Sequence, residues 1–199
     1  MTECVRTGEY ELVIKRSRFI AYSYRIESRD EVKPIIDALK KQHPEARHVC
    51  YGFIADEKGD DFGYDDNGEP SGTAGKPIYS AVASSGAKKS LVAVVRYFGG
   101  IKLGAGGLTR AYRQSAAELI ESVGLAKIEQ TDVYEITCTN DDYKRLSAVF
   151  RGEKCVVEKI SYNNGVSCTV LAPAGFDMSG ALGGTTATSV KTGQRYKEV

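Results

Sequence analysis

Between Pro70 and Ala117 the chain has no aspartate or glutamate. Its 26 acids, spread evenly over 199 residues, would put about six in such a stretch. The same stretch carries seven basic residues, Lys76, Lys88, Lys89, Arg96, Lys102, Arg110 and Arg113. A surface kept clear of negative charge suits an anionic partner. Other absences exclude whole classes of function. No apolar run approaches the roughly 20 residues of a membrane span, and the N-terminus lacks the basic-then-apolar layout of a secretion signal. A cytoplasmic protein with no membrane partner is therefore expected. The five cysteines (Cys4, Cys50, Cys138, Cys155, Cys168) show no C-x-x-C spacing. They read as reduced thiols rather than a disulfide framework or a structural zinc site. There is no G-x-S-x-G elbow, no internal repeat and no low-complexity tract. No cofactor or metal is expected.

The net charge of +1 argues against strong nonspecific binding to duplex DNA, which needs many neutralised phosphates. It leaves room for a local phosphate or RNA-backbone contact. The charge is also polarised. Seven acids (Asp56, Glu57, Asp60, Asp61, Asp65, Asp66, Glu69) precede the acid-free window, with only Lys58 among them. Inside and at the edge of that window lie two glycine-rich runs, Gly68–Pro77 and Arg96–Arg110. Glycine lets a partner approach backbone N–H groups closely.

With 42% hydrophobic and 27% charged residues, the length suits one large or two small domains. Glu11 to Ile26 reads as one or two strands around Lys15–Arg18. Asp30 to Gln42 changes to helical period, with Val32, Ile35, Ile36 and Leu39 on one face and His43-Pro44 as the stop. Arg47 to Ala55 reads as a strand, and Asp56 to Gly68 as a hairpin connection or mobile loop. Pro77 suits the first position of a short helix ending at Gly86. Ser90 to Phe98 is the apolar run of a buried central strand. Thr109 is the expected N-cap of a helix to Val123, closed by Gly124. Beyond it come a strand over Ile128 to Thr139 and a helix over Asp141 to Phe150 with Asn140 as its cap. Strands Cys155 to Tyr162 and Val166 to Leu171 are joined at Asn163-Asn164-Gly165, and a weak helix and a last strand follow. That is a ferredoxin-like β-α-β-β-α-β order. The expected class is α+β with two domains, residues 1–126 and 127–199.

The strand, glycine-rich loop and helix at Val92 to Val123 is a geometry that holds phosphates on free N–H groups and a helix dipole. The candidate anion-binding or nucleic-acid-binding residues are Lys76, Arg96, Gly99, Gly100, Lys102, Gly104, Gly106, Gly107, Thr109, Arg110 and Arg113. The plainer alternative is a tight turn with close packing. Neither run fits a nucleotide fingerprint. In Gly104-Ala-Gly106-Gly107-Leu-Thr109 the third Rossmann glycine is replaced by threonine. Gly75-Lys76 lacks the first P-loop glycine, and Pro77 stands in the Ser/Thr position. Asp65, Asp66 and Glu69 are candidates for metal or acid-base chemistry on a bound phosphate, or for a solvated turn. Folded back onto Lys76 and Arg96, they would make the polarisation internal charge pairing. His48 and Cys50 alternate on one strand and read as a satisfied histidine and a packed thiol more readily than as a nucleophile pair.

Three segments carry a resemblance: Ala46-Arg-His-Val-Cys-Tyr51, Asp66 to Pro77 and Val94 to Tyr112. Together they resemble the signature of the YigZ/IMPACT family across Tyr10 to Leu125. The resemblance implies a first domain with the fold of domain IV of elongation factor G and of a small-subunit ribosomal protein. It also implies a second domain similar to that factor's domain V. Eukaryotic relatives act in translational control, competing for the activator of the amino-acid-starvation kinase. The family brings no catalytic residues. The expected function is noncatalytic binding of RNA, a ribosome or a translation factor. The alternative is a phosphate-ester or nucleotide-dependent enzyme that uses the glycine-rich loop as an anion site.

Overall fold

The computed structural model describes residues 2–198. The chain divides into two compact units, Met1–Lys127 and Ile128–Val199. No helix among the described residues is long and apolar enough to cross a membrane.

The first unit is built on an antiparallel sheet whose strands lie in the order Gly8–Ile14, Ser17–Arg25, Ser90–Tyr97, His48–Ile54 and Phe62–Asp65. Strand β1 (Thr2–Val5) precedes β2 (Gly8–Ile14) and β3 (Ser17–Arg25). The β2–β3 turn uses Lys15 and Arg16 at φ of 48° and 66°. Positive φ at both central positions matches the right-handed twist of the flanking strands. A short turn of helix at Arg29–Glu31 then leads into α1 (Val32–Gln42). Strands β4 (His48–Ile54) and β5 (Phe62–Asp65) follow, then α2 (Gly75–Ser84), β6 (Ser90–Tyr97) and α3 (Gly104–Val123).

Strand β6 lies at the centre and is buried on both faces, as its apolar run requires. Val92 and Val94 face α2 and α3, in a core with Phe19, Ile78, Tyr112 and Leu119. Leu91, Ala93 and Val95 face α1, in a second core with Ile36, Leu39, Val49 and Phe53. The period of two places Arg96 on the α2/α3 side, opposite Phe19 on β3 and His48 on β4. Gly52 on β4 allows α2 to come close, since a methyl there would lie 2.4 Å from the Tyr79 nitrogen.

Four sequence expectations are corrected. The segment from Asp56 to Gly68 contains a strand, β5, paired with β4 over Tyr51–Ile54. Phe62 stacks on Tyr79 of α2 at 4.9 Å and Tyr64 packs tilted against it at 5.9 Å, aromatic contact that polar composition conceals. Helix α2 starts at Gly75, two residues before Pro77. Helix α3 starts at Gly104, well before Thr109, and its N-cap Leu103 offers no side-chain acceptor. Thr109 lies inside the helix, donating its hydroxyl proton to the Ala105 carbonyl at 3.0 Å. Burial of Leu108, Ala111 and Tyr112 outweighs the poor helix propensity of the glycines.

The second unit comprises most of β7 (Leu125–Cys138), α4 (Asn140–Gly152), β8 (Val156–Tyr162), β9 (Val166–Pro173), α5 (Met178–Ala181) and β10 (Thr188–Glu198). Its strands lie antiparallel in the order β10-β7-β9-β8. Ile136, Val170, Leu146, Phe150 and Met178 form its core. The fourth correction is here: Thr139, not Asn140, caps α4, accepting from the Asp142 N–H at 3.1 Å.

A cavity at the start of helix α3

The first glycine run is closed by the protein itself. The Asp66 carboxylate accepts from the N–H groups of Gly72, Ala74 and Gly75 at 2.7, 2.9 and 2.8 Å. Burial works against ionising this group. The three donors more than offset it and hold its carboxyl below the ordinary range. The positive end of α2 is thus capped from within. Asp65 accepts from the Asn67 N–H at 2.6 Å, and the Asn67 side chain accepts from the Val49 N–H at 3.0 Å. His48 and Cys50 both bind this turn: His48 Nδ1 lies 2.8 Å from the Asn67 carbonyl, and the Cys50 thiol donates to the Asp66 carbonyl at 3.0 Å. Burial pushes the Cys50 thiol up to about 12, so it is no nucleophile at neutral pH.

Glu69 continues the same pattern. Its Oε1 accepts from Arg96 Nη1 at 2.6 Å and from the Tyr112 hydroxyl at 2.8 Å. Both charged side chains are almost fully buried, at 8% and 4% exposure. Burial, with Cys50 and Glu69 alongside, raises the Tyr112 phenol far above its usual range and keeps it a donor. The acids preceding the acid-free window therefore fold back into it. Asp65, Asp66 and Glu69 serve a turn, a cap and an ion pair. Two of the window's cations are also occupied: Arg96 by Glu69, and Lys89 by the Glu27 carbonyl at 3.1 Å.

The second run is different. The first N–H groups of α3 have no side-chain cap. They open onto a cavity of about 350 Å³ lined by three basic residues, Arg47, Arg96 and Lys102, together with His48. Pro70, Phe98, Leu103 and Leu108 give it apolar walls. Glu69 is the one carboxylate in its lining, and that charge is neutralised by Arg96. Lys102 is exposed and has no ion-pair partner among the described residues. Arg96 Nε is buried and has no hydrogen-bond partner. The guanidinium lies over Phe19 and Phe98, 5.5 and 5.6 Å from their ring centres.

The sequence-predicted residues separate accordingly. Arg96, Lys102 and Gly104 line the cavity. Gly106, Gly107 and Thr109 lie in the first two turns of α3, and Arg110 and Arg113 stand exposed on that helix. Gly99 is a packing glycine: a methyl there would lie 2.0 Å from the Arg16 backbone, and its N–H donates to Ser17 Oγ at 3.2 Å. Gly100, at φ 84°, turns the loop. Lys76 is exposed on α2 and does not line the cavity. Composition alone missed Arg47 and Phe98. Arg47 lies outside the acid-free window, although it sits in the Ala46–Tyr51 segment, and Phe98 reads as the apolar end of a strand.

The sequence matches the Impact N-terminal domain over residues 15–120, a span that contains both glycine runs and every residue lining the cavity. The chain belongs to the IMPACT family. It is 37% identical to the IMPACT family member YvyE of Bacillus subtilis over 162 residues, 80% of this chain and 73% of that protein. Against an IMPACT family member of Haemophilus influenzae, identity is 42% over 158 residues, 76% of this chain and 74% of the relative. A crystal structure described as a hypothetical protein superposes with a TM-score of 0.63 at 24% identity, covering 96% of this chain and 98% of that one. That likeness concerns the fold.

Proposed function

We propose that this IMPACT family protein is a noncatalytic, cytoplasmic factor that acts in translational regulation by binding RNA, a ribosome or a translation factor through the α3 face of its first domain. The observation that carries the reading is the uncapped start of α3, with Arg47 and Lys102 beside it in the cavity lining and Arg110 and Arg113 exposed further along the helix, none of which has an ion-pair partner among the described residues. An uncapped helix N-terminus with free cations beside it attracts anions. Family membership supports the translational assignment, since the resemblance extends to relatives that act there.

The two domains assigned from sequence, residues 1–126 and 127–199, are part of the proposal. For the second, the order β10-β7-β9-β8 with helices after its first and third strands supports a ferredoxin-like fold. For the first, a five-stranded antiparallel sheet with helices on both faces supports the reading as a relative of elongation factor G domain IV.

The test is co-sedimentation with ribosomes and RNA across a salt series. The triple variant Lys102→Ala, Arg110→Ala, Arg113→Ala is expected to bind at least tenfold more weakly, with a salt slope reduced by about two to three. Equal binding by the triple variant overturns the reading.

A further inference from the structure

The cavity at the start of α3 has features that a flat basic surface does not require. It is concave, about 350 Å³, and walled on one side by Phe98, whose ring is 54% exposed although one face lies against Arg96. Pockets of this size, mostly apolar with a few convergent polar groups, take small ligands. Its lining includes Lys102 and Arg47 together with the backbone of Gly104 and Ala105, whose N–H groups have no side-chain cap. The Arg96 side chain is 8% exposed, and its Nε has no partner despite the ion pair to Glu69. That nitrogen is closed off from solvent, so the free positive charge of the lining comes from Lys102 and Arg47.

Gly106 points the same way. A methyl there would meet only Arg110 Nη1, at 3.7 Å, and its φ is not in the left-handed region. Neither packing nor backbone conformation demands a glycine in this first turn of α3. The glycine leaves the backbone bare at this turn, next to the lining residues Gly104 and Ala105.

We propose that this cavity binds a nucleoside monophosphate unit, with the phosphate on Lys102 and the N–H groups of Gly104 and Ala105, and the base against Phe98. The proposal rests on the reading of the α3 face as an anion-binding surface and names its ligand. A phosphate alone would leave the apolar wall unused, and a base alone would leave the dipole and the cations unused. The unit enters either as a free mononucleotide or as the 5′-phosphorylated end of an RNA.

The test uses the full-length protein and isothermal titration with the four ribonucleoside 5′-monophosphates, the matching nucleosides, inorganic phosphate, and oligoribonucleotides with a 5′-phosphate or a 5′-hydroxyl. The expected result is saturable binding of at least one monophosphate, tenfold or more tighter than its nucleoside and than phosphate. Preference for 5′-phosphorylated RNA over free nucleotide would identify the RNA end as the source. The exposed Phe98→Ala variant should reduce affinity to that of inorganic phosphate. Ala105→Asp should abolish binding while raising the melting temperature, because an acid in the first turn complements the helix dipole. No saturable binding of any monophosphate-bearing probe overturns the proposal. So does equal affinity for inorganic phosphate, or binding that survives both substitutions. If the Lys102, Arg110, Arg113 triple variant still loses ribosome or RNA binding in those cases, the surface reading stands and only the cavity assignment fails.

Discussion

Two glycine-rich runs in one domain, each leading from a strand into a helix, have come to opposite ends. Before and at the start of α2, the N–H groups of Gly72, Ala74 and Gly75 point at one carboxylate, that of Asp66. At Gly104 to Gly107 the N–H groups that open α3 have no acceptor among the described side chains. The cause lies in sequence distance. Asp66 precedes α2 by a loop short enough for its side chain to fold back. No acid lies between Pro70 and Ala117, so the start of α3 has no local carboxylate, and Glu69, brought near by the fold, is taken by Arg96 and Tyr112. The physics of an anion at a helix start is the same in both. One anion is internal, and the other must come from outside.

If the acids really serve the fold, removing one should cost stability rather than binding. The largest effect is expected at Glu69→Ala, which strands the buried Arg96 guanidinium and the Tyr112 hydroxyl. Breaking a buried pair from one side costs about 3–5 kcal/mol. Urea unfolding should show that loss, with Glu69→Gln milder because it keeps an acceptor. A loss below about 1 kcal/mol would mean that Arg96 finds water, and would return it to the exposed basic surface.

The next two substitutions test the first run directly. A methyl at Gly75 would lie 2.6 Å from the Asp65 backbone, so Gly75→Ala should destabilise by about 1–3 kcal/mol through overpacking. Asp66→Ala removes a cap with three donors and should cost about 1–2 kcal/mol at neutral pH. Its pH dependence has a definite sign. The folded carboxyl titrates below its ordinary value of 3.8, so its contribution is complete above that value and is lost as pH falls through the folded value. The gap in melting temperature between the two proteins should therefore be constant above about pH 5 and close in more acid solution. A gap that stays open at pH 2 to 3 would show that the charge is not what caps α2.

Much of the scaffold was legible because period and punctuation agree. The Val92 to Val95 run reads as a central strand, and the Val32 to Leu39 stripe as a helix against a core. Asn163-Asn164-Gly165 reads as a turn, and Asn164 and Gly165 there have positive φ. What failed to read was decided by contacts distant in sequence. Strand β5 is held by Phe62 and Tyr64 on Tyr79, a pairing that no local pattern announces. From sequence the start of α3 reads too late because glycine is a poor helix former, and tertiary burial of Leu108 and Tyr112 overrides that preference. At the candidate site, composition picked out the acid-free window and Lys102. It could not tell that Arg96 is neutralised by Glu69, 27 residues earlier, since ion pairing between a loop and a strand distant in sequence leaves no trace in local charge counts.

The smallest expected effect separates the two runs most sharply, because it applies one substitution to both. Gly106→Ala adds a methyl with no close neighbour inside a helix, so it should raise stability by about 0.5–1 kcal/mol, the usual gain over glycine. Gly75→Ala, equally conservative on paper, should lower it. At Gly104 the φ of 68° predicts a loss as well, although nothing crowds the site, so that position controls for backbone strain. Chemical denaturation of the three variants reads the signs. Opposite signs at Gly75 and Gly106 mean that the first glycine is kept for packing and the second is kept against the interest of the fold. If Gly106→Ala also weakens nucleoside monophosphate binding while the protein becomes more stable, approach of a ligand is the cause, because no contact within the folded chain changes in the unfavourable direction.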